Sequence, residues 1–218
     1  MNQPDITVNE SVPRTFWHTA FLCCGITGSV LFNFIYFSFG AISPHYDMMR
    51  QPIGDLSHLQ HGWIQSANCV VTGLFICVFA IGMRKELVSG VGSTIIPVFH
   101  VVTGLGLMLS GIFIYPPVHP LMSALTFISL IITFSLMARR FAGDSRWKGW
   151  AACTIFTIVL MLILVAVFIN AQSRNATYAG VFERIIILAR LFWSIFFISK
   201  MLGGTRLGPV LRAVEAGV

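Results

Sequence analysis

Charge is what this sequence has least of. Only 8 of its 218 residues are acidic and 14 basic, so charged residues make up 10% of the chain. An ordinary soluble domain carries about 25%. A disordered chain, which needs many charges and few apolar residues, is excluded on that ground. Cysteine is scarce as well: Cys23, Cys24, Cys69, Cys77 and Cys153 all stand inside apolar runs and none forms a C-x-x-C pair. They read as small core residues, with no disulfide scaffold, redox motif or zinc knuckle implied. The 19 glycines and 9 prolines follow no repeat, which removes a collagen-like chain. The net charge of +6 is not concentrated in any basic stretch interleaved with aromatics, so no nucleic-acid partner is expected.

What the chain has in excess is apolar surface. Hydrophobic residues are 56% of it and its mean hydropathy is +0.82. A soluble fold of this size could not hide that surface from water, so the composition predicts an all-α, polytopic membrane protein. Six apolar runs can be counted, at about 16–40, 62–83, 92–115, 121–138, 150–170 and 181–202. Each is long enough to cross roughly 30 Å at about 1.5 Å per residue. The expected organisation is a six-helix up-down bundle over 16–202, between polar tails at 1–15 and 203–218. The first run is too long for a signal h-region and no small-residue cleavage motif follows it, so it reads as the first span.

Lysine and arginine set the expected orientation. The tails, the second and fourth loops and the end of the last span hold Arg14, Arg84, Lys85, Arg139, Arg140, Arg146, Lys148, Lys200, Arg206 and Arg212. The first, third and fifth loops, with the start of the last span, hold Arg50, Arg174 and Arg184. Ten against three places both termini in the cytoplasm. His18, beside Trp17, is then expected as an exposed anchor at the cytoplasmic interface. Pro116-Pro117-Val118-His119-Pro120 is a short stiff link that makes spans three and four antiparallel neighbours. Gly104, Gly106, Ser110 and Gly111 give span three a face of small residues suited to close packing. The two halves of the chain show no internal repeat, so an inverted-repeat transporter is not indicated.

The polar residues inside the spans carry what functional signal there is. Arg190 lies about 13 Å deep on its helix, where a charge costs about 2.5–3.5 kcal/mol on insertion scales. It calls for a carboxylate, a set of oxygens or water. Glu183, seven residues earlier on the same face, and Asp55 are the candidate partners, with Asn68 adding a hydrogen bond. His100 falls within about one turn of Arg190 in height. Together, Asp55, Asn68, His100, Glu183, Arg184 and Arg190 are the candidate ligand-binding set, lining a pocket that opens outward. Asn33 and Gln65 read more simply as hydrogen bonds between helices. Loop 1, from 41 to 61, is the one long outer connection. Ile53 and Leu56 would sink it between the spans as a cap.

Metal chemistry has a weaker claim. Asp55, His58 and His61 in loop 1, with His119 in loop 3, offer a carboxylate and three imidazoles on the outer side, but no H-E-x-x-H or H-x-x-x-H spacing occurs. No metal site and no cofactor is expected. His100 has no histidine at matched depth on a facing helix, which argues against haem.

Four features resemble the bacterial and archaeal DUF998 family of six-span membrane proteins. They are Gln51-Pro52-Ile53-Gly54-Asp55-Leu56-Ser57 after span one, Asn68-Cys69-Val70-Val71-Thr72-Gly73 in span two, Ser110-Gly111-Ile112-Phe113 followed by Pro116-Pro117, and a last span opened by Glu183-Arg184. The chain departs from the pattern where Pro116 or Pro117 replaces an Asp, and where His119 stands near the expected histidine of span four. A remoter likeness is to the Frag1/DRAM/Sfk1 group, which includes proteins of lipid remodelling. The resemblance implies the fold and a multi-pass location, expected in a bacterial inner membrane, with membrane lipids as neighbours. On function three readings stay open: binding of a lipid or small amphipathic ligand for sensing or transport, an accessory subunit without a ligand, and a lipid-modifying hydrolase. Binding ranks first and catalysis last, and either a homo- or a hetero-oligomer is compatible.

Overall fold

The computed structural model of the protein describes residues 15–87, 90 and 92–203. The expected tails lie outside the described residues, apart from Thr15 and Gly203. The described chain forms six long helices and no strand: α1 (Phe16–Ile42), α2 (Trp63–Glu86), α3 (Ile95–Ile112), α4 (Val118–Ala142), α5 (Trp150–Ser173) and α6 (Ala179–Leu202). Each is long and apolar enough to span a bilayer, and the protein is an integral multi-pass membrane protein.

Local chemistry sets the helix ends. Thr15 caps α1 by accepting the His18 N–H at 3.3 Å. At its other end the Ser43 hydroxyl donates to the Phe39 carbonyl at 2.6 Å. The α3–α4 link is the Pro116-Pro117 turn, which brings His119 back towards α3. Between α1 and α2 the long loop 1 contains a short 3-10 helix, Ile53–His58. Inside the spans no water is at hand to satisfy hydroxyls, so they bond back to their own helix. Ser29, Thr103, Ser129, Thr133, Thr154 and Thr157 each donate to a carbonyl four residues earlier.

Neighbours in sequence are neighbours in space, and α6 returns to pack on α1, so the six helices close into a ring. At the α2–α3 seam the backbones almost touch. A Cβ on Gly104 would fall 2.6 Å from the Gly73 carbonyl oxygen. Span three therefore uses its small residues as expected. The outer faces are apolar: Phe34, Phe156 and Phe192 are 56–68% exposed, as suits contact with lipid.

The interior holds two apolar clusters, not one. At the end opposite loop 1, Leu22, Met83, Met137, Phe141, Trp147, Trp193 and Phe197 pack together, with Trp147 stacked on Phe141 at 4.9 Å. Beneath loop 1, Phe32, Tyr36, Phe39, Tyr46, Ile53, Leu56 and Cys69 form the second. Between them α1 contributes Ser29, α2 Thr72, α3 His100 and α6 Arg190, a polar layer across the middle of the ring.

One sequence expectation fails here. His18 is buried, not an exposed anchor. Its Nε2–H lies 3.2 Å from the Gly82 carbonyl and 3.3 Å from Glu86 Oε1, and Glu86 is itself buried. A carboxylate at the end of α2 draws the imidazole inward, while Trp17 alone faces out.

Candidate functional site

The expected ligand-binding set divides into two groups at different depths. The first straps loop 1 to the start of α6. Glu183 Oε2 accepts the Ile53 N–H at 2.7 Å. Arg184, next in sequence and on another face, donates to the Gln51 carbonyl at 3.1 Å, to the Gly180 carbonyl at 2.7 Å and to the Tyr46 hydroxyl at 2.7 Å. Tyr46 passes the link on by donating to the Pro52 carbonyl at 2.8 Å. The Val181 N–H donates to the Met49 carbonyl at 3.2 Å. A Cβ on Gly180 would lie 2.5 Å from the Gln51 carbonyl oxygen, so this approach needs glycine. Ile53 and Leu56 are 3% and 0% exposed, and loop 1 is sunk into the bundle as a cap.

Electrostatics follow from this burial. Desolvation pushes the Tyr46 phenol up to about 12, against the opposing pull of Arg184. Desolvation also raises the Asp55 carboxyl above its ordinary value, while His58 and His119 work against it. Asp55 thus stands among imidazoles and not beside Arg190. The His119 Nδ1–H donates to the Ser110 carbonyl at 2.9 Å, leaving Nε2 towards Gly54. Among the described residues no three His, Cys, Asp or Glu side chains converge as a metal site would require. That holds for Asp55, His58, His61 and His119.

The second group is deeper. Arg190 lies eleven residues into α6, about 16 Å along its axis. With His100, Ser29 and Ser194 it borders a cavity of about 10 Å³ whose remaining walls include Phe79 and Phe134. The height match between His100 and Arg190 therefore holds. The expected pairing of Arg190 with Glu183 or Asp55 does not. Glu183 is two helical turns away and is taken by the loop 1 backbone. Among the described residues no hydrogen bond or ion pair reaches Arg190. Asn68 is elsewhere too: it donates to the Phe32 carbonyl at 3.1 Å and to Gln65 Oε1 at 3.2 Å, joining α2 to α1. Gln65 is bonded within α2, and Asn33 donates to the Ser29 carbonyl at 2.8 Å. Both therefore bond within their own helices, not between helices as expected.

Sequence reasoning passed over Tyr36, Tyr46, Ser29 and Ser194. Three of them had a signal. Ser29, Asn33 and Tyr36 recur at i, i+4 and i+7, and Arg190 with Ser194 at i, i+4, each a polar stripe on an otherwise apolar helix. Tyr46 had none, since its partner Arg184 is 138 residues away.

No curated protein and no solved structure matches the chain. The model of the DUF998 family, described as a protein of unknown function, matches residues 26–199, from the middle of α1 almost to the end of α6. The family match does not extend to the Frag1/DRAM/Sfk1 group. Matched over four complete helices and most of the other two, the chain belongs to the DUF998 family.

Proposed function

We propose that this protein binds an anionic amphipathic ligand, an acidic lipid, whose charged group neutralises Arg190 inside the helix ring. A single observation carries the reading: a guanidinium at mid-span that meets no anion or carbonyl among the described residues. Arginine does not shed its proton on burial, and an unpaired charge away from water is strongly unfavourable. The counter-charge then comes from outside the chain. The walls suit an amphipath, since Ser29, Ser194 and His100 stand beside Phe79, Phe134 and Ile198. In the closed form described here the cavity has room for about one water, so admission of the ligand requires loop 1 or the α1–α6 seam to move. The excess of basic residues on the opposite loops supports an outward-facing loop 1, with the mouth of the proposed pocket beneath it.

The test is lipid extraction and native mass spectrometry of the protein purified in mild detergent. Wild type should retain an acidic lipid, Arg190→Lys part of it and Arg190→Gln none, with zwitterionic lipids unchanged across the three. Absence of acidic lipid from wild type overturns the reading, as does equal retention by Arg190→Gln.

A further inference from the structure

The cavity beside Arg190 narrows the acidic ligand by charge, by donors and by room. Its walls carry one fixed charge, the guanidinium, with Ser29, Ser194 and His100 as the other polar side chains. One guanidinium balances one negative charge. A phosphate monoester carries about −1.5 to −2 at neutral pH and would leave the excess buried.

Donors are as limited. The Ser29 hydroxyl already donates to the Gly25 carbonyl at 2.8 Å, so towards the cavity it is an acceptor only. What is left to give is the guanidinium fork, the Ser194 hydroxyl and one imidazole N–H. The fork alone satisfies both oxygens of a carboxylate. A diacyl phospholipid adds ester carbonyls close behind its phosphate, and Ile76, Phe79, Leu130, Phe134 and Ile198 offer them no donor. Acceptors buried that way are costly. Room points the same way. As it stands the cavity, of about 10 Å³, holds one water-sized group. A carboxylate is the smallest anionic lipid head, and hydrocarbon follows it directly, so it demands the least widening.

We infer that the ligand is a long-chain carboxylate, a free fatty acid, with both oxygens on Arg190 and its chain against the apolar walls. Ser194, about one turn along α6 from Arg190, donates to one of the two oxygens. The inference rests on the acidic-ligand reading above and names the class within it.

Binding to the purified protein in mild detergent, read by native mass spectrometry, tests it. The probes are oleate, oleyl alcohol, oleoyl lysophosphatidate and dioleoyl phosphatidylglycerol, which share one chain and differ in the head. Oleate should bind one to one and at least roughly tenfold more tightly than each of the others, the effect of one lost hydrogen bond to a charged group. Arg190→Gln should bind oleate no better than oleyl alcohol. If that variant does not fold, the wild-type ranking decides alone. Carboxyl-labelled oleate followed by NMR supplies a second readout. Bound to wild type, it should stay ionised to a pH about one to three units lower than in protein-free micelles, because a guanidinium faces it. Unshifted ionisation overturns the inference. An acidic phospholipid that comes within the tenfold margin of oleate or exceeds it, and depends on Arg190, overturns the carboxylate and leaves the acidic-ligand reading standing. Oleyl alcohol binding as tightly as oleate overturns both, as does an oleate preference that survives in Arg190→Gln.

Discussion

At the scale of single residues, what separates the two polar groups is which partner each charge can reach. Arg184 and Glu183 stand where loop 1 offers carbonyls and an amide, and they use them. Arg190, two turns deeper, borders a cavity walled by two hydroxyls, an imidazole, aromatic rings and aliphatic side chains. The sequence could place Arg190 and His100 at one height because rise per residue is fixed, but it could not show that a backbone amide 130 residues away would claim Glu183. Asp55 gives a pH test. Burial raises its folded pKa, so the fold favours the neutral acid. Stability from this group is complete below the unfolded value of about 3.9 and is lost as pH climbs through the raised folded value. His58 and His119 face the carboxyl and, when protonated, soften the loss; Glu183 and Tyr46 also feel its charge. Melting temperatures measured from pH 4 to pH 6 should fall more for wild type than for Asp55→Asn. At neutral pH the variant should melt no lower. Equal slopes would assign the effect to another acid.

At the scale of elements, loop 1 behaves as a seventh structural piece. Its Ile53 and Leu56 fill the bundle while Tyr46, Gln51 and Met49 fasten it to α6. Gly180 is the point of closest approach, with Met48 and Gln51 carbonyls 2.8 and 2.5 Å from where its Cβ would stand. Gly180→Ala should therefore lift loop 1, lowering stability by about 1–3 kcal/mol as overpacking does and exposing residues 43–62 to proteolysis. Gly143→Ala, at a position with φ −89° and open surroundings, is the control and should change neither. A protease-resistant Gly180→Ala protein would mean that the strap is not what holds the loop. The six helices themselves were legible because apolar length is a direct physical requirement of the bilayer. Their ends were less so: α4 begins at Val118 and ends at Ala142, longer at both ends than its most apolar stretch, because Arg139 and Arg140 continue the helix past the bilayer core. Loop 1 was legible in its length and in Ile53 and Leu56, but its fastening depends on carbonyls, which carry no residue-type signal.

At the scale of the whole molecule, the ring is built unequally about its polar middle layer. The end away from loop 1 is sealed by aromatic packing, with Trp193 stacked on Phe197 at 4.8 Å and Lys200 Nζ lying 4.8 Å from the Trp147 ring. The loop 1 end is closed by a segment fastened to α6 through Glu183 and Arg184. The proposed pocket between two such ends has a direction, and that direction becomes inward or outward only through membrane orientation. Charge is the physical handle on it. Among the described residues Arg84, Lys85, Arg139, Arg140, Arg146, Lys148 and Lys200 lie at the sealed end, while Arg50, Arg174 and Arg184 lie at the loop 1 end. Moving the first set across a membrane is the harder insertion. Exposed reporter positions exist at both ends: Gln60 and Ser173 beside loop 1, Ser145 at the sealed end. In a Cys153→Ser background, which removes the exposed native thiol, an impermeant maleimide added to intact cells should label Gln60→Cys and Ser173→Cys. It should reach Ser145→Cys only after permeabilisation. The reverse pattern would turn the proposed pocket to the cytoplasmic side, and labelling of all three in intact cells would show a chain inserted both ways.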